Sequence, residues 1–388
     1  MPLFLTHFQF LLICLTNFSL FLVVSTWNFL PVILVNLGAN RFEVGMVMGS
    51  LGVTSLGSLP FLAPLIDRLG RRIFVVGGIL AIALSNGGFL LFDSYSPLMI
   101  LVRLLQGVAF AACFNGCATA VVDIVPSEHR AQGIGLFGAF GSLAVAVGPC
   151  VGEQILLTLG PQGYFFLLMT FGLLGLLAAA RVQEPKRLEH GSESPRGFFP
   201  TAFHDGYLSM MTTAMIFGAG FAAMNTFFPL HATSLGFRAG LFFVVYGVTL
   251  VAVRLFLGGL ADRMDRDKLI LMCLIGFGIL LLWTSRLNSI IQTAFLGAFF
   301  GIVQGMSYPA MMARMVDRAN NGNRGIVVSL FTGAFGVGIN LSVLCWGFVA
   351  EMTSLPFMYF VGAMTMFFGA AVFIASGPLH KRPLLRQG

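Results

Sequence analysis

Ala63-Pro64-Leu65-Ile66-Asp67-Arg68-Leu69-Gly70-Arg71-Arg72 is the stretch on which the reading of this chain turns. Four charged side chains and a glycine crowd into Asp67–Arg72, yet the run before it, 43–66, carries one charge (Glu43), and the run after it, 73–92, carries none. Each flanking run is about 20 residues long, the length a helix needs to cross the hydrocarbon of a bilayer. A short, charged, glycine-containing turn between two such runs reads as a loop at a membrane surface.

Working outward, the same alternation fills the chain. Apolar runs lie at 8–36, 43–66, 73–92, 97–122, 132–157 and 162–182, then at 208–231, 238–261, 268–285, 288–313, 325–350 and 355–377. Each must satisfy its own backbone in lipid, so each is expected to be a helix. The composition agrees: of 388 residues 57% are hydrophobic and 10% charged, with mean hydropathy +0.91. Soluble domains carry about a quarter charged residues, and one soluble core cannot hide this much apolar surface. The first run is read as a retained membrane helix, since it is longer than a signal-peptide core and no Lys or Arg precedes it. Gly45-x-x-x-Gly49 and Gly301-x-x-x-Gly305 are expected at close helix contacts. The six cysteines all fall inside apolar runs without a C-x-x-C pair, which predicts neither disulfides nor a structural metal.

The basic residues orient the chain. With the N-terminus inside, the inner loops and tail hold 17 of the 22 Lys and Arg residues, and the outer loops only Arg41, Arg238 and Arg286. That asymmetry predicts both termini in the cytoplasm of a multi-pass protein in the cytoplasmic (inner) membrane. It also accounts for a pI near 9.4 without nucleic acid, which would call for a concentrated basic surface. The most polar stretch, 183–207, reads as a cytoplasmic linker between a first half (1–182) and a second (208–388).

The two halves repeat. Asn28 and Pro31 with Leu37-Gly38 recur as Asn225 and Pro229 with Leu235-Gly236; Asp67-Arg68 as Asp262-Arg263; Gln106-Gly107 as Gln304-Gly305; Asp123 and Arg130 as Asp317 and Arg324. All of these offsets lie between 194 and 198 residues. The expected fold is therefore all-α: twelve transmembrane helices in two pseudo-symmetric six-helix bundles around a midplane cavity, the architecture of alternating access.

The loop 63–72 resembles the signature G-x-x-x-D-R-x-G-R-[RK] of the major facilitator superfamily, with Ala63 in place of the first glycine, and Gly258-Gly259-Leu260-Ala261-Asp262-Arg263 resembles a degraded second copy. Arg103, Gln106 and Gly107 match the family's R-x-x-Q-G in the fourth helix. Gly148-Pro149-Cys150-Val151-Gly152 resembles the core of the motif found in proton-antiporting exporters, although Ala144 and Glu153 stand where the fuller pattern has glycine. Asp123–Arg130 running into Gly133, Thr226–Leu230 with Ser234–Phe237, and Gly305–Pro309 are similar to the bacterial subgroup that holds the staphylopine-type metallophore exporter and arabinose-efflux-like proteins. The resemblance implies a gate at Asp67, Arg68, Gly70, Arg71, Asp123 and Arg130: Asp67 near the N-terminus of the eleventh helix, Arg71 paired with Asp123, the two holding the halves closed on the cytoplasmic side. The bland reading is that these charges only orient the chain in the membrane.

No Walker-type phosphate loop occurs, so an ion gradient is expected to supply the work, with no cofactor. Charges within spans are few, and each is costly in hydrocarbon unless it faces a cavity or a partner. Arg103, ~9 Å from the outer end of its span by helix rise, and Glu153 on the neighbouring span are expected to meet, Glu153 taking the coupling proton and Arg103 setting its affinity; the alternative is a Glu153 that merely snorkels. Arg254 has no counterpart in the first half and reads as a partner for an anionic substrate group, or as a structural bond to backbone. Trp27, Asn28, Asn225 and Gln304 are expected to line the substrate cavity, or to join helices. Gly148, Pro149 and Gly152 are expected to let the fifth helix flex and to pack it against the other half. The function that follows is a monomeric secondary transporter, not an enzyme, moving protons and a small polar or amphipathic organic molecule such as a carboxylated metallophore or a drug, most simply as a proton-antiporting exporter. A proton-coupled importer of a sugar, peptide or siderophore is the alternative, and a non-transporting membrane scaffold or sensor the second.

Overall fold

The computed structural model describes residues 8–126, 129–184, 207–257, 264–317 and 324–376, and these are helical and turn segments throughout. In chain order the helices are α1 (Phe8–Asn36), α2 (Arg41–Gly57 and Leu59–Leu69), α3 (Arg71–Leu91), α4 (Leu98–Ile124), then Arg130–Ala179, which Gly160 divides into α5 and α6. The second half follows with α7 (Tyr207–Ser234), α8 (240–257), α9 (Arg266–Thr284), α10 (Ile290–Val316), α11 (Arg324–Met352) and α12 (Leu355–Ala375). By length and composition, nine helical stretches among the described residues can cross a membrane, ten with the two arms of α2 taken as one. The break at Gly160 and the shorter α8 bring the number to the expected twelve. Leu101, Leu105, Leu173, Leu177 and Phe368 are among the large apolar side chains exposed on the outside, as a lipid-facing surface requires. Residues 185–206 of the linker, Asp262, Arg263 and the chain ends lie outside the described residues.

The repeat has a physical cause in two prolines. Pro31 and Pro229 lack an amide hydrogen and crowd the carbonyl four residues back, at Trp27 and Asn225. There α1 tightens into a 3₁₀ turn over Trp27–Phe29, and α7 widens into a π turn over Ala223–Phe227. Both helices then end at a glycine with positive φ, Gly38 (97°) and Gly236 (77°), a conformation that a side chain would strain. Tyr164 in α6 donates to the Thr26 carbonyl of α1 (2.7 Å), and Tyr359 in α12 donates to the Ala223 carbonyl of α7 (3.2 Å), the same clamp in each half.

The halves meet along α2–α11 and α5–α8, helix pairs that the repeat exchanges. A Cβ on Gly45 would lie 2.9 Å from the Val343 carbonyl, and one on Gly49 3.3 Å from that of Asn340, so the first arm of α2 approaches α11 backbone to backbone. The second arm turns away by 51° at Ser58, where Pro60 and Pro64 interrupt the bonding ladder. It packs on α4 and α3 of its own half. The bend matters for the site, because it carries the charged turn Asp67–Arg72 away from α11. Arg68, Arg71, Arg72, Arg181, Arg266, Lys268 and Arg314 gather at that end of the bundle, the basic end.

Candidate substrate cavity

Between the halves lies a cavity of about 600 Å³, within the range of drug-sized ligand sites. The first half contributes Asn17 and Phe21 of α1, Phe114 of α4 and Ser142 of α5; the second contributes Phe221 of α7, Arg254 of α8, Gln304 and Tyr308 of α10 and Phe335 of α11. Val121, Val122 and Ile134, within about a turn of the basic ends of α4 and α5, extend its wall to that end of the molecule. Rings stack into the wall in edge-on pairs, Phe21 with Phe114 (5.7 Å between centroids) and Tyr308 with Phe335 (5.4 Å). Among the described residues no acidic side chain lines it.

Arg254 sits in a π turn of α8, Val253–Leu257. Such turns add a residue to the helix and re-aim a side chain, and they recur at functional sites. The guanidinium reaches the cavity wall and donates to the Ser142 hydroxyl of α5 (2.9 Å), a contact across the halves. Asn225 occupies the other π turn; it donates to the Phe221 carbonyl (3.0 Å) and accepts a long 3.5 Å bond from Asn28. The Asn28–Asn225 pair therefore bridges the halves at the end of the cavity remote from the basic end, rather than lining its wall. Gln304 is on the wall, with its amide oxygen buried and without a hydrogen-bond partner.

Arg103 and Glu153 are not brought together. Arg103 is buried inside the first half, where it donates to the Gln106 side chain (2.9 Å) and the Val47 carbonyl (3.4 Å) and stacks on Trp27 at 4.5 Å. Trp27 and Gln106 both donate to the Asn86 side-chain oxygen (3.0 and 3.3 Å). Trp27 is thus a member of this closed polar network and not a cavity residue. Glu153 faces the other half instead: its carboxylate lies against Gly240 at the start of α8, with the Ala239 and Gly240 backbone amides and Arg238 nearby. A helix N-terminus is the place where a carboxylate is favoured. The glycines expected to contact the other half turn out to serve the first. A Cβ on Gly148 would lie 2.9 Å from the Leu22 carbonyl of α1, and Gly152 abuts Thr26 of α1. The backbone stays helical through Gly148, Pro149 and Gly152, with Gly160 alone non-helical within Arg130–Ala179.

At the basic end Arg71 pairs with Asp123 (2.9 Å) and with Asp67 (3.3 Å). Asp67 is 68% exposed, and among the described residues its arm of α2 packs mainly on α4 and α3 of its own half rather than on α11. Gly70 turns the chain with φ +98°, and Glu184, just past α6, accepts from the Arg71 and Arg72 backbone amides (2.7 and 2.9 Å). The side chain of Arg130 lies outside the described residues. In the second half Arg266 pairs with Asp317, and Arg314 with Asp267 (2.6 Å). Arg266 is the counterpart of Arg71 at an offset of 195, a member of the repeat that the motif reading passes over. Asn17, Ser142 and Tyr246 also escape it, and the one signal they carry is polarity inside an apolar run; Tyr308 lies in the Gly305–Pro309 stretch but is not singled out there.

The far end is closed by contacts between the halves. Besides Asn28–Asn225 and Glu153, Phe29 meets Phe243 (6.1 Å), and the Arg41 guanidinium donates to the Ala350 carbonyl (2.7 Å) while its amide donates to Glu351 (2.8 Å). A cavity reaching one end of a two-bundle helical protein and sealed at the other is the geometry of a transporter. The sequence profile of the Major Facilitator Superfamily matches residues 10–249 and again 235–387. The chain belongs to the major facilitator superfamily. It is similar to the staphylopine export protein of Staphylococcus aureus, with 26% identity over 361 residues that make up 87% of each chain. It is also similar to the human synaptic vesicular amine transporter, 25% identical over 353 residues, 87% of this chain and 68% of that one. Among solved structures, the nucleoside transporter NupG superposes with TM-score 0.76 at 15% identity, covering 96% of this chain and 100% of that one. A bacterial homologue of the human lysosomal transporter Spinster, in an inward-facing and occupied conformation, gives 0.75 at 12%, covering 95% and 96%. This major facilitator protein is therefore a multi-pass membrane transporter with efflux-type relatives, and not an enzyme.

Proposed function

We propose that this protein is a monomeric secondary active exporter in the cytoplasmic membrane, which moves a small amphipathic organic anion outward by alternating access in exchange for protons. The observation that carries the reading is Arg254, a cation in an aromatic cavity with no acidic partner on its wall among the described residues. Such a site favours a ligand with an apolar body and a carboxylate or similar group. Placing the basic end in the cytoplasm, as the positive-inside rule asks, makes this the state that loads from inside, and both termini then lie in the cytoplasm. The similarity to the staphylopine export protein supports the direction, and a carboxylated metallophore, as the family resemblance implies, is one candidate cargo.

Coupling to protons calls for a titratable group whose proton affinity differs between the two states. Glu153 is that group in this reading: in the present state it holds the N-terminus of α8, and opening the far end exposes it to water. The ion pairs of Arg71 with Asp123 and Asp67 preserve the charged turn for docking on α11 when the basic end closes. Everted vesicles with an acidified interior test the proposal. Uptake of labelled aromatic carboxylates is expected, abolished by a protonophore and by Arg254→Gln. Uptake by right-side-out vesicles alone overturns export.

A further inference from the structure

We infer that Glu351 is a second outer gate residue, the repeat partner of Glu153, and that the two carboxylates form related latches which must both let go before the far end opens. The inference rests on the alternating-access reading above and adds to it a residue that no motif marks.

Glu153 and Glu351 stand 198 residues apart, at the offset of the repeat. They lie on the two seams that the repeat exchanges, α5–α8 and α11–α2. Further inward each seam closes on a glycine. A Cβ on Gly247 of α8 would lie 2.6 Å from the Ala146 Cα of α5, and one on Gly49 of α2 would lie 3.2 Å from the Leu344 Cγ of α11. These contacts are related by the same offset, and each carboxylate follows seven residues after its Ala146 or Leu344, ~10 Å along the helix. There each reaches a helix start in the other half. Glu351 Oε2 accepts from the backbone amide of Arg41 (2.8 Å), the first residue of α2. The capping box satisfies the Asn40 and Glu43 amides within the first half and leaves that of Arg41 to a partner across the seam. The Glu153 carboxylate lies against Gly240, beside the Ala239 and Gly240 amides. Ala239 is the residue that the offset of 198 sets opposite Arg41, so both carboxylates meet the same point of two related helices. Each also has an arginine at hand: the Arg41 guanidinium donates to the Ala350 carbonyl at the end of α11 (2.7 Å), and Arg238 stands near Glu153. These are two of the three basic residues that the outer loops hold against the positive-inside trend. An anion is favoured at a helix start and a cation at a helix end, and these pairings exist only while the halves touch. Each latch therefore stabilises the state closed at the far end and contributes nothing to the open one.

The test measures the distance between spin labels on Leu37→Cys and Leu235→Cys, at the far ends of α1 and α7. It uses the full-length protein in lipid nanodiscs, with the exposed Cys150 and Cys345 changed to alanine. Glu351→Gln should raise the ratio of separated to closed molecules about fivefold, the worth of a carboxylate at a helix start, and Glu153→Gln should do the same. The two changes together should raise it about 25-fold, because the latches share no residue and act on one opening. Glu43→Gln removes a charge from the same start of α2 but from within one half, and should leave the ratio unchanged. Two distances whose ratio Glu351→Gln does not move, or that Glu43→Gln moves as much, overturn the latch and leave alternating access standing. A single distance in every variant, with an aromatic carboxylate such as hippurate or without it, overturns the alternating-access reading and this inference with it.

Discussion

At an offset of 198 residues, Trp27, Asn86, Arg103 and Gln106 of the first half meet Asn225, Thr284, Gly301 and Gln304 of the second. In the first half the four side chains bond to one another, and the arginine at their centre is buried. In the second half no such network forms. Gly301 admits the backbone of α8, Thr284 turns its hydroxyl to the Leu280 carbonyl of its own helix (2.9 Å), Asn225 turns to Phe221 and Asn28, and Gln304 is left with a buried, unpartnered oxygen. The intramembrane arginine of the second half stands elsewhere, at Arg254, on the cavity wall. In the proposed reading, two copies of one bundle divide the work: one holds its charge in a closed polar network, and the other offers its charge to a ligand.

The sharpest way to break this comparison is to remove each arginine in turn. Arg254→Met should weaken carboxylate binding by at least about 30-fold, the usual loss when one member of a hydrogen-bonded charge pair is truncated, and leave thermal unfolding in detergent unchanged. Arg103→Met should do the opposite: it strands the Gln106 oxygen and Trp27, and should destabilise the fold by about 2–4 kcal/mol with little change in affinity per folded molecule. Swapped outcomes would show that the halves have been assigned the wrong roles.

A smaller effect is expected where glycine replaces that arginine. A Cβ on Gly301 would lie 2.7 Å from the Thr249 Cβ and 2.9 Å from the Tyr246 carbonyl, both on α8. Gly301→Ala should therefore push α10 from α8 and cost about 1–3 kcal/mol, as overpacking does. Gly77→Ala in α3, with nothing within 4 Å, should be close to neutral in the same melting assay. Similar melting points for the two would remove close backbone approach as the reason for glycine at 301.

Glu153 compares the two sides of the seam. Glu153→Gln keeps the shape but removes the charge at the N-terminus of α8, worth up to about 1 kcal/mol at such a position. Spin labels at the far ends of α1 and α7, on Leu37→Cys and Leu235→Cys, should then show the separated population rise by about fivefold. Gradient-driven transport should fall while substrate exchange continues. An unchanged distance distribution together with intact coupling would return Glu153 to the role of a simple interfacial carboxylate.

Much of the architecture could be read from residues alone, because it depends on one-dimensional patterns. Span limits follow from apolar length, the pairing of Pro31 with Pro229 from a constant offset, and the Arg71–Asp123 contact from a family motif. The failures share a different cause. Depth along a helix axis can be counted, but the direction a side chain faces cannot be. Arg103 and Glu153 were expected to meet on grounds of depth, yet the first faces Gln106 within its own half and the second faces α8 across the seam. Trp27 and Asn28 are neighbours in sequence, and the 3₁₀ turn sends one into the scaffold and the other to the seam. Asn17 carried no motif at all; its amide joins α1 to the Phe137 carbonyl of α5, a contact that no one-dimensional pattern marks.

The smallest expected effect concerns the helix starts at the basic end, where the halves again differ. In the second half, α9 is capped locally: Asp265 accepts from the backbone amides of Asp267 and Lys268 (2.9 and 3.2 Å). In the first half, α3 is capped from a distance by Glu184, at the point where the chain leaves α6 for the other half. A cap of this kind is worth about 1 kcal/mol, and an amide keeps part of it. Glu184→Gln should therefore speed hydrogen exchange at the first amides of α3 by about two- to fivefold, and loosen the hold on Arg71 beside Asp123. Asp265→Asn should affect the start of α9 alone. Because the Glu184 cap spans the first half from α6 to α3, its loss should also slow transport slightly, whereas loss of the local cap should not. Equal and purely local effects of the two substitutions would mean that Glu184 does no more than end a helix, and that the charged turn is held by Arg71 and Asp123 alone.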